Sequence, residues 1–425
     1  MLIVMRAFLL IPVAAALFAQ NPPDPSERLA RAREILIQRD ARLPDYTCVQ
    51  TVERRYFKRR HAAYPPPDCD QIRSLRPDTL VLESTDRLRL ELKVSQGHEI
   101  GSWAGSGFTS RDIFDLIGGG PYGTGMIGAL IDDIFVNGGA AYGYMGENSN
   151  TGRSLSIYTY RVPVESSHYR VKADSNWVLT AFYGVFWLDS NSLDLKRLIV
   201  DAHDLPPETR TCEAATGVDY QKVKVGAGEF LLPQRSTMHL VMADESETQS
   251  TAVYSGCREY RGEAVIHFDE VPMGGETKTA EASATPLPAG LPFSLALTEP
   301  IDTDTAAAGD IVRAKVRAAV RDARSKAVLA PAGAMVQGRI VQMQHWLDRS
   351  RQFRISILLE KLETGGVSRP LYAKIDHGHA TTITLPPVGQ SPLVGVFPFT
   401  TDKDSYRVPA GYQSNWVTVA PPPAR

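Results

Sequence analysis

Arg87-Leu88-Arg89-Leu90-Glu91-Leu92-Lys93-Val94 alternates between charged and aliphatic side chains without a break. Successive side chains of an extended chain point to opposite faces. This stretch therefore puts Leu88, Leu90, Leu92 and Val94 on one face and Arg87, Arg89, Glu91 and Lys93 on the other. A strand that is greasy on one side and wet on the other belongs to an antiparallel sheet with a single covered face. The alternation extends back to Leu80, and a weaker version of it runs from Tyr46 to Phe57. Between these two strands, the segment His61–Arg76 carries Pro65-Pro66-Pro67 and Cys69, and reads as a loop.

Upstream of the strands the period changes to that of a helix. Asp24 is a good N-cap, Pro25 suits the first helical position, and Glu27 can close a capping box. Leu29, Ala32, Ile35 and Leu36 form an apolar stripe, and Pro44 ends the helix. Further upstream, Met1–Gln20 has one Arg at position 6, an apolar run, and small residues ending at Ala19. That is the pattern of a secretory signal peptide over 1–19 rather than of a membrane span, because the run is short and polar, Pro-rich sequence follows at once. No Cys follows the run directly, so a lipid-modified N-terminal cysteine is not expected.

Downstream, residues 97–146 are dense in glycine. Two short apolar helical pieces stand out, one with Ile113, Phe114 and Ile117, the other with Ile127, Leu130, Ile131, Ile134 and Phe135. Glycine-broken helices beside a one-sided sheet suit a lid or plug. From Ser154 to Phe268 the chain reads as a strand meander: Ser154–Val162, Tyr169–Ala173, Trp177–Leu188, Leu195–Ala202, Thr216–Val225, Ser236–Met242 and Val253–Phe268. Residues 271–286 read as a linker and 287–376 as a small β-barrel or sandwich. There Val312, Ala314 and Val316 share one face, as do Phe353, Ile355, Ile357 and Leu359. The tripeptide Pro-Ala-Gly recurs at 288–290, 331–333 and 409–411, each a turn feeding a strand. Residues 377–425 read as a Pro-rich C-terminal extension.

The 425 residues are enough for two or three domains, and 43% hydrophobic with 22% charged residues is a globular composition. A net charge of -2 gives no pull toward nucleic acid. No later run is long enough to span a bilayer. Four cysteines, Cys48, Cys69, Cys212 and Cys257, in an exported chain point to two disulfides. Three pairings exist. Short loops favour Cys48–Cys69 with Cys212–Cys257.

Catalytic patterns are missing from the sequence. There is no G-x-S-x-G elbow, and Ser102 and Ser106 sit among glycines without a strand–turn–helix frame. Gly118-Gly119-Gly120-Pro121 lacks the Lys-Ser/Thr of a phosphate loop. The nine histidines are scattered, His377-x-His379 being the close pair, and no metal or other cofactor is expected. The carboxylate pairs Asp132/Asp133, Glu360/Glu363 and Asp402/Asp404 read as solvated charge. Arg54, Arg55, Lys58, Arg59 and Arg60 surround Tyr56 and Phe57. They read either as an edge strand guarded by charge or as a patch for an anionic partner.

Leu43-Pro44-Asp45-Tyr46-Thr47-Cys48, Leu231-Leu232-Pro233 and Cys257-Arg258-Glu259-Tyr260 resemble a group of exported proteins of Acidobacteria. The order of helix, amphipathic strands, glycine-broken plug and meander over 24–270 resembles the lipoprotein-carrier (LolA/LolB-like) architecture. That resemblance implies an open antiparallel half-barrel, covered by helices, that holds acyl chains. Leu287–Phe293, Gly309-Asp310 and Ala330–Gly338 are similar to the β-barrel of conjugal-transfer TrbI-like proteins, which implies an interaction module.

The expectation is therefore a mainly β (α+β) protein of periplasm or cell envelope, with an open half-barrel followed by a small barrel, and no enzyme. A lipid or other hydrophobic ligand would meet Phe108, Ile113, Phe114, Ile117, Ile127, Leu130, Ile131 and Ile134, and an envelope protein would be a partner. The alternatives are a scaffold whose first domain is filled by its own side chains, and a hydrolase with a non-standard site.

Overall fold

The computed structural model describes residues 24–60, 65, 67–74, 80–95, 98–108, 112–118, 120–123, 128–150, 153–173, 176–202, 205–260, 285–348, 351–376 and 393–422. The expected signal peptide, nearly all of the linker, Ile127 and the His377/His379 pair lie outside them.

Helix α1 (Pro25–Asp40) opens the described chain, with the Asp24 carboxylate accepting from the Ser26 backbone N–H. Leu29, Ala32 and Leu36 are buried, as the stripe requires. The first lobe is one antiparallel sheet built from β1 (Tyr46–Arg59), β2 (Leu80–Ser95), β3 (His98–Trp103), β4 (Ala141–Asn150) and β5 (Arg153–Val162). Beyond a small hairpin, β6 (Arg170–Ala173) and β7 (Asn176–Leu179), it continues with β8 (Phe182–Asp189), β9 (Leu195–Ala202), β10 (Thr211–Val225), β11 (Gly228–Met242) and β12 (Glu247–Glu259). The pairings give the spatial order 3-2-1-12-11-10-9-8-5-4. This is a mainly β fold, an open half-barrel whose inner face is covered by helices. Two strands that the sequence reading did not expect, β3 and β4, lie at the two ends of the glycine-dense stretch, outside its two helical pieces, and the run Trp177–Leu188 breaks at Thr180-Ala181 into β7 and β8.

The cover consists of α1, α3 (Ile113–Ile117) and α4 (Ala129–Ile131), the last continuing as a π-helical turn over Asp132–Val136. A short α2 (Cys69–Ser74) packs against the start of β10. Both disulfides join segments far apart in sequence. Cys48 pairs with Cys257, and Cys69 with Cys212. This corrects the short-loop pairing. β1 lies next to β12, so the bulge between Thr47 and Val49 brings Cys48 to Cys257, whereas α2 carries Cys69 to the start of β10. Sheet order overrides loop-closure entropy here.

The second lobe is a curled antiparallel sheet with two separate two-stranded ladders, one formed by 301–302 with 407–408 and one by 320–321 with 328–330. Its strands are β13 (Pro292–Leu297), β14 (Ile301–Asp302), β15 (Ile311–Val316), β16 (Val320–Arg321), β17 (Val328–Ala330), β18 (Met335–Trp346), β19 (Gln352–Thr364), β20 (Val367–Pro370), β21 (Ala373–Ile375), β22 (Val394–Thr400), β23 (Arg407–Val408) and β24 (Gln413–Thr418). The run 21-24-13-15-18-19-22 surrounds one apolar core with Trp416 at its centre. Residues 394–418 therefore belong to this barrel and not to an appended extension. β24 supplies the neighbour that β13 needs. In all three Pro-Ala-Gly turns the glycine has φ between +83° and +87°, which a side chain would strain. The N–H of Gly290, Gly333 and Gly411 each donates at 2.8 Å to a neighbouring strand, at Thr418, Val316 and Leu297 O.

The lobes are joined through backbone. β2 pairs with β18 over Asp86↔Gln344, Thr85↔His345 and Ser84↔Trp346. Next to this, Ala308 donates to Arg87 O (2.8 Å), accepts from Arg89 N–H (2.6 Å), and is wholly buried in the first lobe's core. Arg89 and Asp310 form an ion pair at 2.5 Å. Arg339, itself buried, donates to Ala104 O (2.9 Å), Gly309 O (2.6 Å) and Glu360 (2.7 Å). The edge of β2 that β3 leaves open is thus occupied, which removes an exposed edge.

Candidate functional site

The inner face of the half-barrel carries two apolar clusters. In one, Phe182, Phe186, Leu188, Leu198 and Val200 of the sheet meet Leu29, Ala32 and Leu36 of α1, Leu130 and Ile131 of α4, and Ile134 and Phe135 of the π-turn. Phe186 stacks on Tyr158 (5.3 Å between centroids) and takes the edge of Phe135 (5.0 Å). In the other, Val52, Leu88, Leu90, Leu92 and Val94 meet Ile113 and Ile117 of α3, with Ala308 from the second lobe. The expected ligand-facing residues that are buried divide between the two clusters, Leu130, Ile131 and Ile134 in the first and Ile113 and Ile117 in the second, and they fill them. Ile134 is wholly buried, and Ile113, Ile117, Leu130 and Ile131 nearly so. Phe114 is only partly covered and meets Trp177 of the β6–β7 hairpin at 5.1 Å, with the Lys172 ammonium over both rings. Phe108 is half-buried and lies edge-on to Tyr260 at the rim.

The cover is held in small pieces. Gly101 admits Ile113, because a Cβ there would stand 2.5 Å from the Ile113 Cδ1. Gly120, at φ +91°, lies against the Arg54 guanidinium and the Tyr56 hydroxyl, where a Cβ would stand 2.8 Å from each. Asp133 is buried and accepts from the His168 backbone N–H (2.7 Å), the His168 ring Nδ1 (2.6 Å) and Asn137 (3.2 Å). It pins the π-turn to the loop before β6 and is not the solvated charge that the sequence suggested. Arg33 of α1 donates to Phe135 O at 2.9 Å.

Polar groups lie inside this apolar interior. Gln50 of β1 donates to the Tyr254 hydroxyl (3.0 Å) and accepts from the Tyr122 hydroxyl (2.8 Å), and Ser236 lies 3.3 Å from the same Tyr254 oxygen. All four side chains are buried, as is Tyr220. Tyr46 is completely buried, and its hydroxyl finds no hydrogen-bond partner among the described residues. Burial pushes the Tyr46, Tyr122, Tyr220 and Tyr254 hydroxyls well above the usual tyrosine range, and the nearby Glu99 charge adds to this, so they stay neutral. Toward the far end of β1, Arg54 grips Asp86 with two bonds of 2.7 and 2.6 Å, and Tyr56 donates to the same carboxylate at 3.1 Å. Sequence reasoning missed this island because its members come from positions far apart in the chain. Only the interruption of β1's inward row (Cys48, Gln50, Val52, Arg54) signalled it.

The basic cluster does not form a patch. Arg54 points inward to Asp86, and Arg59 is buried beside Glu245 and Glu247 at 3.4 and 3.5 Å. Lys58 pairs with Glu83 at 2.5 Å, leaving Arg55 and Arg60 exposed. β1 is a central strand, so alternation turns Arg54 inward and Arg55 outward, and the register shift between Tyr56 and Phe57 resets it before Arg59. The remaining carboxylate pairs stay apart in role. Glu360 binds Arg339 and Gln337, while Glu363 pairs with Lys361 at 3.4 Å. Ser102 donates to Gly107 O. Among the described residues no group of three or more His, Cys, Asp or Glu side chains is placed to hold a metal ion, and no helix is long and apolar enough to cross a membrane.

No family model and no curated protein matches the chain. Among solved structures it is similar to a DUF1329 family protein from Desulfovibrio piger, at 10% identity over 56% of this chain and 95% of that one, with a TM-score of 0.27. It is also similar to a putative outer membrane lipoprotein-sorting protein domain from Vibrio parahaemolyticus (12% identity, 55% and 94%, TM-score 0.27). A third is the Mycobacterium tuberculosis lipoprotein LppX (9% identity, 56% and 98%, TM-score 0.19). Likeness at this level adds nothing to the strand order, which stands on its own pairings.

Proposed function

We propose that the chain is a non-enzymatic exported cell-envelope protein. Its first lobe takes a lipid or other hydrophobic ligand between sheet and cover, and its second lobe is the interaction module. One observation carries this: the part of the apolar floor on the inner face formed by Val52, Leu88, Leu90, Leu92 and Val94 is covered by α3, a helix of only five residues, whereas the 16-residue α1 covers the other part together with α4 and its π-turn. The sheet beneath has Cys48–Cys257 across neighbouring strands. A ligand enters by displacing Ile113, Ile117, Leu130, Ile131 and Ile134 from the floor. Exchanging these side chains for an acyl chain leaves the apolar area buried about equal, so opening does not forfeit the roughly 25 cal/mol per Å² of that contact. Two disulfides suit an oxidising compartment. By contrast, the apolar cavity inside the second lobe, between Leu295, Val336, Ile355, Phe397 and Trp416, is about 30 Å³, room for little more than water.

The test is uptake of N-phenyl-1-naphthylamine, an uncharged fluorescent probe. Saturable uptake, reduced by filling the floor further (Ala202→Phe), supports the reading, and no uptake overturns it. A second reading, a scaffold filled by its own side chains, is favoured by the complete burial of Ile134 and Phe135. It predicts no uptake.

A further inference from the structure

From the buried Gln50–Tyr254–Tyr122 network and the neighbouring unsatisfied Tyr46 hydroxyl, we infer that the first lobe selects an uncharged amphiphile. Its hydroxyl group would take the place of the Tyr122 hydroxyl as donor to Gln50. The inference rests on the ligand-carrier reading above and names its ligand class.

The chemistry follows from what each group can offer. The Gln50 amide oxygen accepts one bond, at 2.8 Å, and the donor is Tyr122, which follows α3 on the cover. Gln50 and Tyr254 both belong to the sheet. Lifting the cover therefore removes a donor from a buried amide, and a buried polar group left unpaired is costly. A ligand hydroxyl restores that bond, and an ester or hydroxyl oxygen can accept from Tyr46, whose hydroxyl is orphaned in a wholly buried position. Tyrosine hydroxyls and a primary amide match neutral oxygen groups, because each both donates and accepts.

An anionic head group does not fit. Arg54, a cation whose charge reaches Tyr122, is bound through two nitrogens to Asp86. Glu99 places negative charge within reach of Tyr46, Tyr122, Tyr220 and Tyr254. A carboxylate moved here would lose its water without gaining a countercharge.

The experiment uses the full chain with its disulfides formed, and displaces bound N-phenyl-1-naphthylamine with monooleoylglycerol or with oleate. These share an acyl chain and differ in the head group. Monooleoylglycerol is expected to compete at about one tenth the concentration of oleate, a difference on the scale of one or two hydrogen bonds. Gln50→Leu, of similar volume, is expected to bring that ratio down to about one; the ratio is the readout, so any change in probe affinity cancels. Tyr254→Phe serves the same purpose should Gln50→Leu fail to fold. Tyr122→Phe weakens the closed contact and is expected to tighten both competitors alike, which a core hydrogen bond without a ligand role would not do. Oleate competing as well as monooleoylglycerol in the wild type overturns the inference and leaves the carrier reading intact, as does an unchanged ratio in Gln50→Leu. No probe uptake at all overturns both.

Discussion

Arg54 shows how one side chain can carry two readings. In the sequence it heads a run of basic residues that looks like an anion-binding patch; in the fold it faces inward and is matched by Asp86. A buried charge is tolerated when its partner and geometry are in place, and becomes a liability when one partner is removed. Arg54→Met alone should therefore cost about 3–5 kcal/mol in a urea melt, and Arg54→Met with Asp86→Leu should cost less than either single change. Equal and additive losses would show that the pair is not coupled. The alternation that makes Leu88, Leu90 and Leu92 legible as core applies equally to Arg54, but residue type overrode position there. The Gln50, Tyr122 and Tyr254 cluster was illegible for another reason: no local pattern links residues that only the strand order β2-β1-β12 and the cover bring together.

Among the elements, α1 is fastened at both ends. Tyr158 donates to Pro25 O at 2.9 Å, Arg28 reaches Ser156 at 2.6 Å, and Arg39 in the last turn pairs with Asp194 at 2.5 Å. Burial alone would raise the Asp194 carboxyl, but Arg39, Lys222 and Ser192 outweigh it and hold it down at about 2. A folded-state value below the usual 3.8 means that this carboxylate stabilises the fold above pH 4 and stops doing so as pH falls toward 2. Asp194→Asn should accordingly be less stable than wild type at pH 7, with the gap closing between pH 4 and 2. A gap that is constant with pH would refute the assignment. The helix itself was legible, with its cap at Asp24 and its stripe at Leu29, Ala32 and Leu36. The strands β3 and β4 were not. Gly101, Gly143 and Gly146 weaken strand propensity there, and edge pairing with β2 and β5 decides the conformation.

At the scale of the whole molecule, the two lobes share a backbone seam. Ala308 and Gly309 lie along β2, and a Cβ on Gly309 would stand 2.0 Å from the Arg89 carbonyl oxygen. The wild-type chain should therefore unfold in one thermal transition. Ala308→Glu, which buries a charge in the first lobe's core, should split it into two. Two transitions already in the wild type would show that the seam is weak. Two parts with a stretch of small and polar residues between them were legible from composition; that the second would seal the first's open edge was not, because the contacting residues carry no pattern of their own. The disulfides were legible as a pair of bonds but not as Cys48–Cys257 and Cys69–Cys212, since the pairing depends on which strands are neighbours. The central claim, that the cover gives way to an apolar ligand, is met most directly by native mass spectrometry of the full chain exported into a bacterial periplasm and purified without detergent. One bound lipid per chain, lost on collisional activation and carrying no acidic head group, is the result this account predicts; the mass of the polypeptide alone in every preparation would contradict it.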